Sequence, residues 1–330
     1  PPSSPVFYLN KTPLAQLGFL QRLFCLLSFN KNSIILAGDI WKKQKEKKVK
    51  RSILKNLIKA ALTYSLIAGF VFAQYTKGNT VMAWSKYKWK DWSEVENPSG
   101  KDWRESIENY HVTRHKAAKT LNSSMMLTHY WSGSSEDVHF INEFDNMEDA
   151  TAYSGSQAPL NKKAWPDEEE RKAALSAYNK YFQSYHEDLH IFENHVAFRK
   201  KAKKKDRPDA TVVTAVTSYW KPLRDVEGGS AEEREKLMKK FFRTVTKKND
   251  KILSQRVVTH LWSGHVENGL WPLTYIREYA TMVDANDSST ENELINKAFK
   301  TDEEKQAYGK YWARKHDDIG VYWNQTYTNK

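Results

Sequence analysis

The chain has 330 residues, enough for two compact units, and a formal net charge of +12. The charge is concentrated: the first 73 residues hold 12 Lys or Arg against only Asp39 and Glu46, which leaves the rest of the chain at +2 and removes the main support for a nucleic-acid-binding surface. The single cysteine, Cys25, lies in that same first stretch, so a disulfide framework, a thiolate metal site or a cysteine nucleophile is excluded from everything downstream.

Residues 1–48 fit no later pattern. The first Met is Met82, and Val49 offers a position where a GTG codon could initiate, so 1–48 are expected to be upstream translation without a fold. Residues 49–73 have a basic start, an apolar run from Ala60 to Phe72 and a small-residue site ending at Ala73, the order of a secretory signal peptide. The run is too short for a bilayer-spanning helix, which needs about 20 residues. Cleavage near Ala73 and export to the periplasm or the outside are expected, with no stable membrane insertion afterwards.

From residue 78 the chain is written twice. "THYWSG" (128–133) returns as "THLWSG" (259–264), and "INEFDNMEDA" (141–150) returns as "IREYATMVDA" (276–285). "AYNKYFQSYHEDLHIFEN" (177–194) returns as "AYGKYWARKHDDIGVYWN" (307–324), in the same order. This is a tandem duplication over 78–198 and 211–330, joined by a basic stretch, 199–210, read as a solvated linker.

In each copy the periodicity predicts an opening strand (Val81–Lys88, Thr211–Trp220) and an amphipathic helix (Trp103–Leu121, Ala231–Ile252). The repeated hexapeptide forms the second strand, and Asp137–Phe144 and Leu270–Tyr279 form the third. A long helix follows, opened by Pro166-Asp167 with Glu170 and by Thr301 with Glu304. Its stripe is Leu175, Tyr178, Phe182, Tyr185 and Leu189, and a short strand closes each copy around Ile191–Phe198 and Val321–Tyr327. The order βαββαβ, twice, defines an α+β chain of two ferredoxin-like units packed sheet to sheet as an intrachain barrel.

This order, with the "EFDNMEDATAY" segment (143–153), resembles the dimeric α/β-barrel superfamily, which includes antibiotic-biosynthesis-type monooxygenases. The resemblance implies two sheets enclosing a pocket. It supplies no catalytic motif that can be carried over residue by residue.

Alternation along a strand puts His129 and Trp131 on one face, and His260 and Trp262 on its counterpart, as candidate pocket residues. Histidines satisfied by neighbours, with Trp as packing, fit the same pattern. His186 and His316 match across the copies near the expected end of the long helix, each followed by an acid, Asp188 or Asp318, and Glu143 matches Glu278. "HEDLH" (186–190) fits the zinc-protease pattern, but the second copy reads "HDDIG" and no third ligand follows, so no metal is expected. No phosphate loop and no nucleophile elbow occur. The chain is therefore expected to be an exported binder of a small apolar or aromatic ligand inside the barrel, without a nucleic-acid partner and with self-association left open. The rival expectations are a cofactor-poor monooxygenase or haem-handling enzyme, and an interaction module whose barrel is filled.

Overall fold

The computed structural model describes residues 76, 78–203, 207–261 and 269–330. The expected leader 49–73, the segment 1–48 and Trp262 lie outside the described residues. The first repeat runs β1 (Thr80–Trp89), α1 (Gly100–Ala117), β2 (Leu121–His129), β3 (Asp137–Phe144), α2 (Met147–Gly155), α3 (Gln157–Ala164), α4 (Glu168–Asn179) and β4 (Phe182–Asn194). The second runs β5 (Ala210–Trp220), α5 (Ala231–Phe241) continued by a π turn over Phe242–Thr246, β6 (Ile252–His260), β7 (Trp271–Tyr279), α6 (Met282–Ala285), α7 (Ser288–Ala298), α8 (Asp302–Gly309) and β8 (Trp312–Gln325).

All eight strands join into one closed antiparallel barrel in the order β1-β3-β2-β8-β5-β7-β6-β4. Closure removes every free sheet edge. The molecule is thus a dimeric α/β barrel built within a single chain from two ferredoxin-like halves. The halves meet at two seams of matching register. In one, Thr128 and His129 of β2 lie opposite Trp323 and Tyr322 of β8. In the other, Thr259 and His260 of β6 lie opposite Glu193 and Phe192 of β4. The duplicated hexapeptide begins at these seams, so its Thr-His pair is repeated because the barrel must close twice.

Helix starts follow local chemistry. The Ser99 hydroxyl accepts from the Asp102 amide, Asp167 from the Glu170 amide and Thr301 from the Glu304 amide, each satisfying a backbone donor the helix cannot.

The expected long final helices are a correction. α4 ends at Asn179 and α8 at Gly309, and Phe182, Tyr185, His186 and Leu189 belong to strand β4. The apparent stripe joined one helix face to the side chains of the following strand. Pairing with β1 and β5 supplies the backbone partners of β4 and β8 through ladders extending over most of their length, and this tertiary gain overrides local propensity.

The barrel interior is also unlike the expected cavity. Met82, Trp84, Met125, Leu127, Ile141, Phe192, Val213, Ala215, Val258, Ile276 and Tyr322 form one contiguous buried cluster drawn from all eight strands. Large and small residues complement one another across the pseudo-twofold. Trp84 and His190 of the first repeat stand where the second has Ala215 and Gly320, and a Cβ on Gly320 would lie 2.6 Å from the Tyr322 hydroxyl.

Candidate functional site

The seam histidines differ in environment. His129 is exposed at the end of β2, and its Nδ1 lies 3.1 Å from the Ser132 carbonyl oxygen. His260 is half-buried, Nδ1 has no partner among the described residues, and burial lowers its pKa. Trp131 lies beyond the strand and is 77% exposed, so it does not share the buried face of β2. The Trp131 and Ser132 amides instead donate to the Val321 carbonyl at 3.2 Å, and the Ser132 hydroxyl accepts from the Val321 amide at 2.9 Å. The first repeat's turn is thereby stitched onto β8 of the second.

Two interior histidines lie outside the expected pocket set, His190 having entered only through the zinc-like pattern. Trp84 Nε1 donates to His139 Nδ1 at 3.0 Å; indole is a donor only, so this imidazole is neutral with its proton on Nε2. Burial pushes His139 down to about 4. His190 packs edge-on to Trp84 and stacks on Phe192, and its pKa is lowered by burial and by His260. Their signal in the sequence was the alternation of β3 and β4, hidden for His190 by the helical assignment of 182–190.

His186 is exposed, with Nε2 2.8 Å from Asp188 and its ring 5.0 Å from that of Tyr87. Both it and His316 lie on strands, β4 and β8, and not near the end of a helix. Two residues four apart on a strand are about 13 Å apart, and a bulge separates His190 from His186, so "HEDLH" cannot grip one zinc ion. Among the described residues no group of three or more His, Cys, Asp or Glu is placed to hold a metal ion.

The opposite end of the barrel carries a duplicated ionic knot. Glu143 accepts from Thr80, Ser123, Asn194 and Arg199; Glu278 accepts from Thr211, Ser254, Asn324 and Arg207. Burial alone would raise the Glu143 pKa, but Arg256, Arg199 and the hydroxyl donors more than offset it, and the net direction is down. Glu278 follows the same pattern through Arg207. Arg199 and Arg207 come from the stretch expected to be a solvated linker, which corrects that expectation at both ends.

A cleft lies outside the barrel, between the outer face of the second repeat's sheet and its helices. It has a volume of about 970 Å³. Thr214 and Val216 of β5 with Tyr275, Arg277 and Tyr279 of β7 form its floor. Phe241, Tyr308 and Trp312 form an aromatic wall, with Phe241 stacked on Tyr308 at 5.2 Å. Trp131 and Ser132 from the first repeat supply part of the rim. An adjoining cleft of about 540 Å³ shares Val216, Trp312 and Asp318 and includes His316, which is exposed.

The equivalent rings of the first repeat pack more closely. Tyr110 and Tyr178, counterparts of Phe241 and Tyr308, stack at 3.8 Å, and His111 lies 4.7 Å from Phe140. Tyr153 packs against Phe144 at 5.3 Å, whereas its counterpart in the second repeat is Ser288, on the cleft wall opposite Tyr279. Thus of the predicted residues Trp131 and His316 line the outer clefts, His129 and His260 lie at the seams, His186 lies on the surface of the first repeat, and no single site gathers them.

No family model matches the chain, and no curated protein matches it. Solved structures with similarity include a monooxygenase candidate from Fusobacterium nucleatum subsp. nucleatum, 10% identical with a TM-score of 0.41, covering 76% of this chain and 93% of that one. A heme-binding protein from Thermus thermophilus is 12% identical with a TM-score of 0.38, covering 75% of this chain and 91% of that one. A chlorite dismutase variant from Candidatus Nitrospira defluvii is 11% identical with a TM-score of 0.38, covering 76% and 93%. The likeness is one of architecture and assigns no residue or chemistry to this chain.

Proposed function

We propose that the protein binds a small aromatic or apolar organic molecule in the cleft of the second repeat, and that the first repeat is its structural counterpart. The observation that carries this is the asymmetry at one pair of equivalent positions: Tyr153 closes the first repeat, and Ser288 leaves the second open over aromatic side chains. A concave site with apolar walls and a few polar groups is the usual form of a small-molecule pocket. The filled barrel argues against a ligand between the sheets. A haem-handling reading finds less support: no His or Cys lines the larger cleft among the described residues, and Asp284, Asp287, Glu291 and Asp318 would face the propionates. The leader-like 49–73 supports export, which N-terminal sequencing of secreted protein would test.

The cleft is tested by Ser288→Tyr, which copies the first repeat's solution. Aromatic fragments that bind the wild type by ligand-observed NMR should lose binding in the variant while its unfolding midpoint stays within experimental error. Undiminished binding in the correctly folded variant would place the ligand elsewhere.

A further inference from the structure

Resting on that reading of the cleft, we propose that its ligand is an organic cation, an amine or quaternary ammonium carried on an apolar or aromatic body. The inference comes from the sign of the charges around the aromatic wall. Four carboxylates, Asp284, Asp287, Glu291 and Asp318, line the cleft, against one lining cation, Arg277. Arg277 is fully engaged: it donates to Glu291 at 3.0 and 3.2 Å and to Gln255 at 2.8 Å. Lys251, 3.2 Å from Asp284, offsets one further acid. Asp287 caps α7 and shares the field of Lys251, whereas Asp318 remains without a cationic partner among the described residues. Hydrogen bonds from Ser289 and Thr290 hold Asp287 down to about 2, so it is ionised at any physiological pH.

The floor already accommodates positive charge, since the Arg277 guanidinium lies 5.5 Å from the Tyr275 ring centroid. Trp312, 5.9 Å from Tyr308 and steeply inclined to it, offers further ring surface to a ligand cation. Aromatic faces attract cations through their quadrupole, and the excess of acids over bases in the lining adds long-range attraction while repelling anions. Arg314 and Lys315 line the adjoining cleft, and Lys315 lies 4.0 Å from Asp317.

Calorimetry with benzyltrimethylammonium and its uncharged isostere neopentylbenzene isolates the charge, because the two share shape. The cation is expected to bind about tenfold more tightly, the factor that roughly 1.4 kcal/mol of cation–π and ionic attraction supplies. Asp287→Asn, which keeps a capping side chain for α7, and Asp318→Asn should each weaken the cation several-fold and leave the isostere unchanged. Equal binding of the two probes, abolished by Ser288→Tyr, would overturn the cationic assignment and leave the cleft standing. Binding of neither probe to folded protein would overturn both.

Discussion

Met125 and Arg256 stand at equivalent places in the two repeats, 131 residues apart, and meet inside the barrel, with Arg256 Nη1 3.5 Å from Met125 Sδ. Duplication placed two copies of one position beside each other, where two arginines would repel across a dry interior and two methionines would leave the knot short of a cation. Arg256 Nη2 donates to Ser123 at 3.2 Å, and Nε lies 3.7 Å from a Glu143 that is 1% exposed. Arg256→Met should therefore cost about 3 to 5 kcal/mol, the range for stripping one partner from a buried pair. Adding Glu143→Gln should recover part of the loss. Urea unfolding of both variants measures it.

Arg207 holds the second knot in the same manner, through Glu278. Arg207→Ala should lower stability by about 3 kcal/mol, whereas Lys201→Ala, an exposed change in the same stretch, should stay within about 0.5 kcal/mol. Comparable small effects from both would mean that 199–210 is the solvated linker its composition suggests.

Buried imidazoles set the pH response. Burial lowers His139 and His115 to about 4, and His111 moves the same way. For His139 and His115 the unfolded chain takes up the proton near 6.5 and the folded one only near 4, so their contribution is complete above pH 6.5 and is lost between 6.5 and 4, and His111 acts in the same direction. Each supplies up to about 3 kcal/mol. Glu143 and Glu278, depressed from 4.5, add a further loss below that value. The urea midpoint should fall steadily from about pH 7.5 to about pH 4, and His115→Gln should flatten the upper part of that fall.

Packing across the pseudo-twofold is tested at its tightest point. Gly320→Ala should destabilise by about 1 to 3 kcal/mol, because the added methyl meets the Tyr322 hydroxyl at 2.6 Å and the Ser132 Cβ at 2.8 Å. Gly155→Ala, with open space around it, should be neutral or slightly stabilising by the same thermal melt.

The hexapeptides expected as second strands share only Thr128-His129 and Thr259-His260 with β2 and β6, whereas the duplication, the strands β1, β3, β5 and β7 and the helix caps were legible because they rest on local signals: repeated letters, period-two alternation and Asp or Thr ahead of Glu. β4 and β8 were not, since their polar first halves become strand only through partners distant in sequence. The site was legible only in fragments. Trp131 and Ser288 matter through residues on the other repeat or the other layer, and nothing in the spacing of the histidines announces that the barrel closes over Trp84 and Tyr322. The ionic knots were half visible: Glu143 and Glu278 stood out as a matched pair, while Arg199 and Arg207 were hidden in a run of like charges.

Fluorine NMR of protein labelled with 5-fluorotryptophan addresses the location of the ligand most directly, because Trp312 and Trp131 border the outer cleft and Trp84 reports from inside the barrel. On titration with a bound aromatic cation, the Trp312 and Trp131 resonances should shift with one affinity and Trp84 should stay in place. A shift at Trp84 with Trp312 unmoved would put the ligand between the sheets and contradict its assignment to the outer cleft.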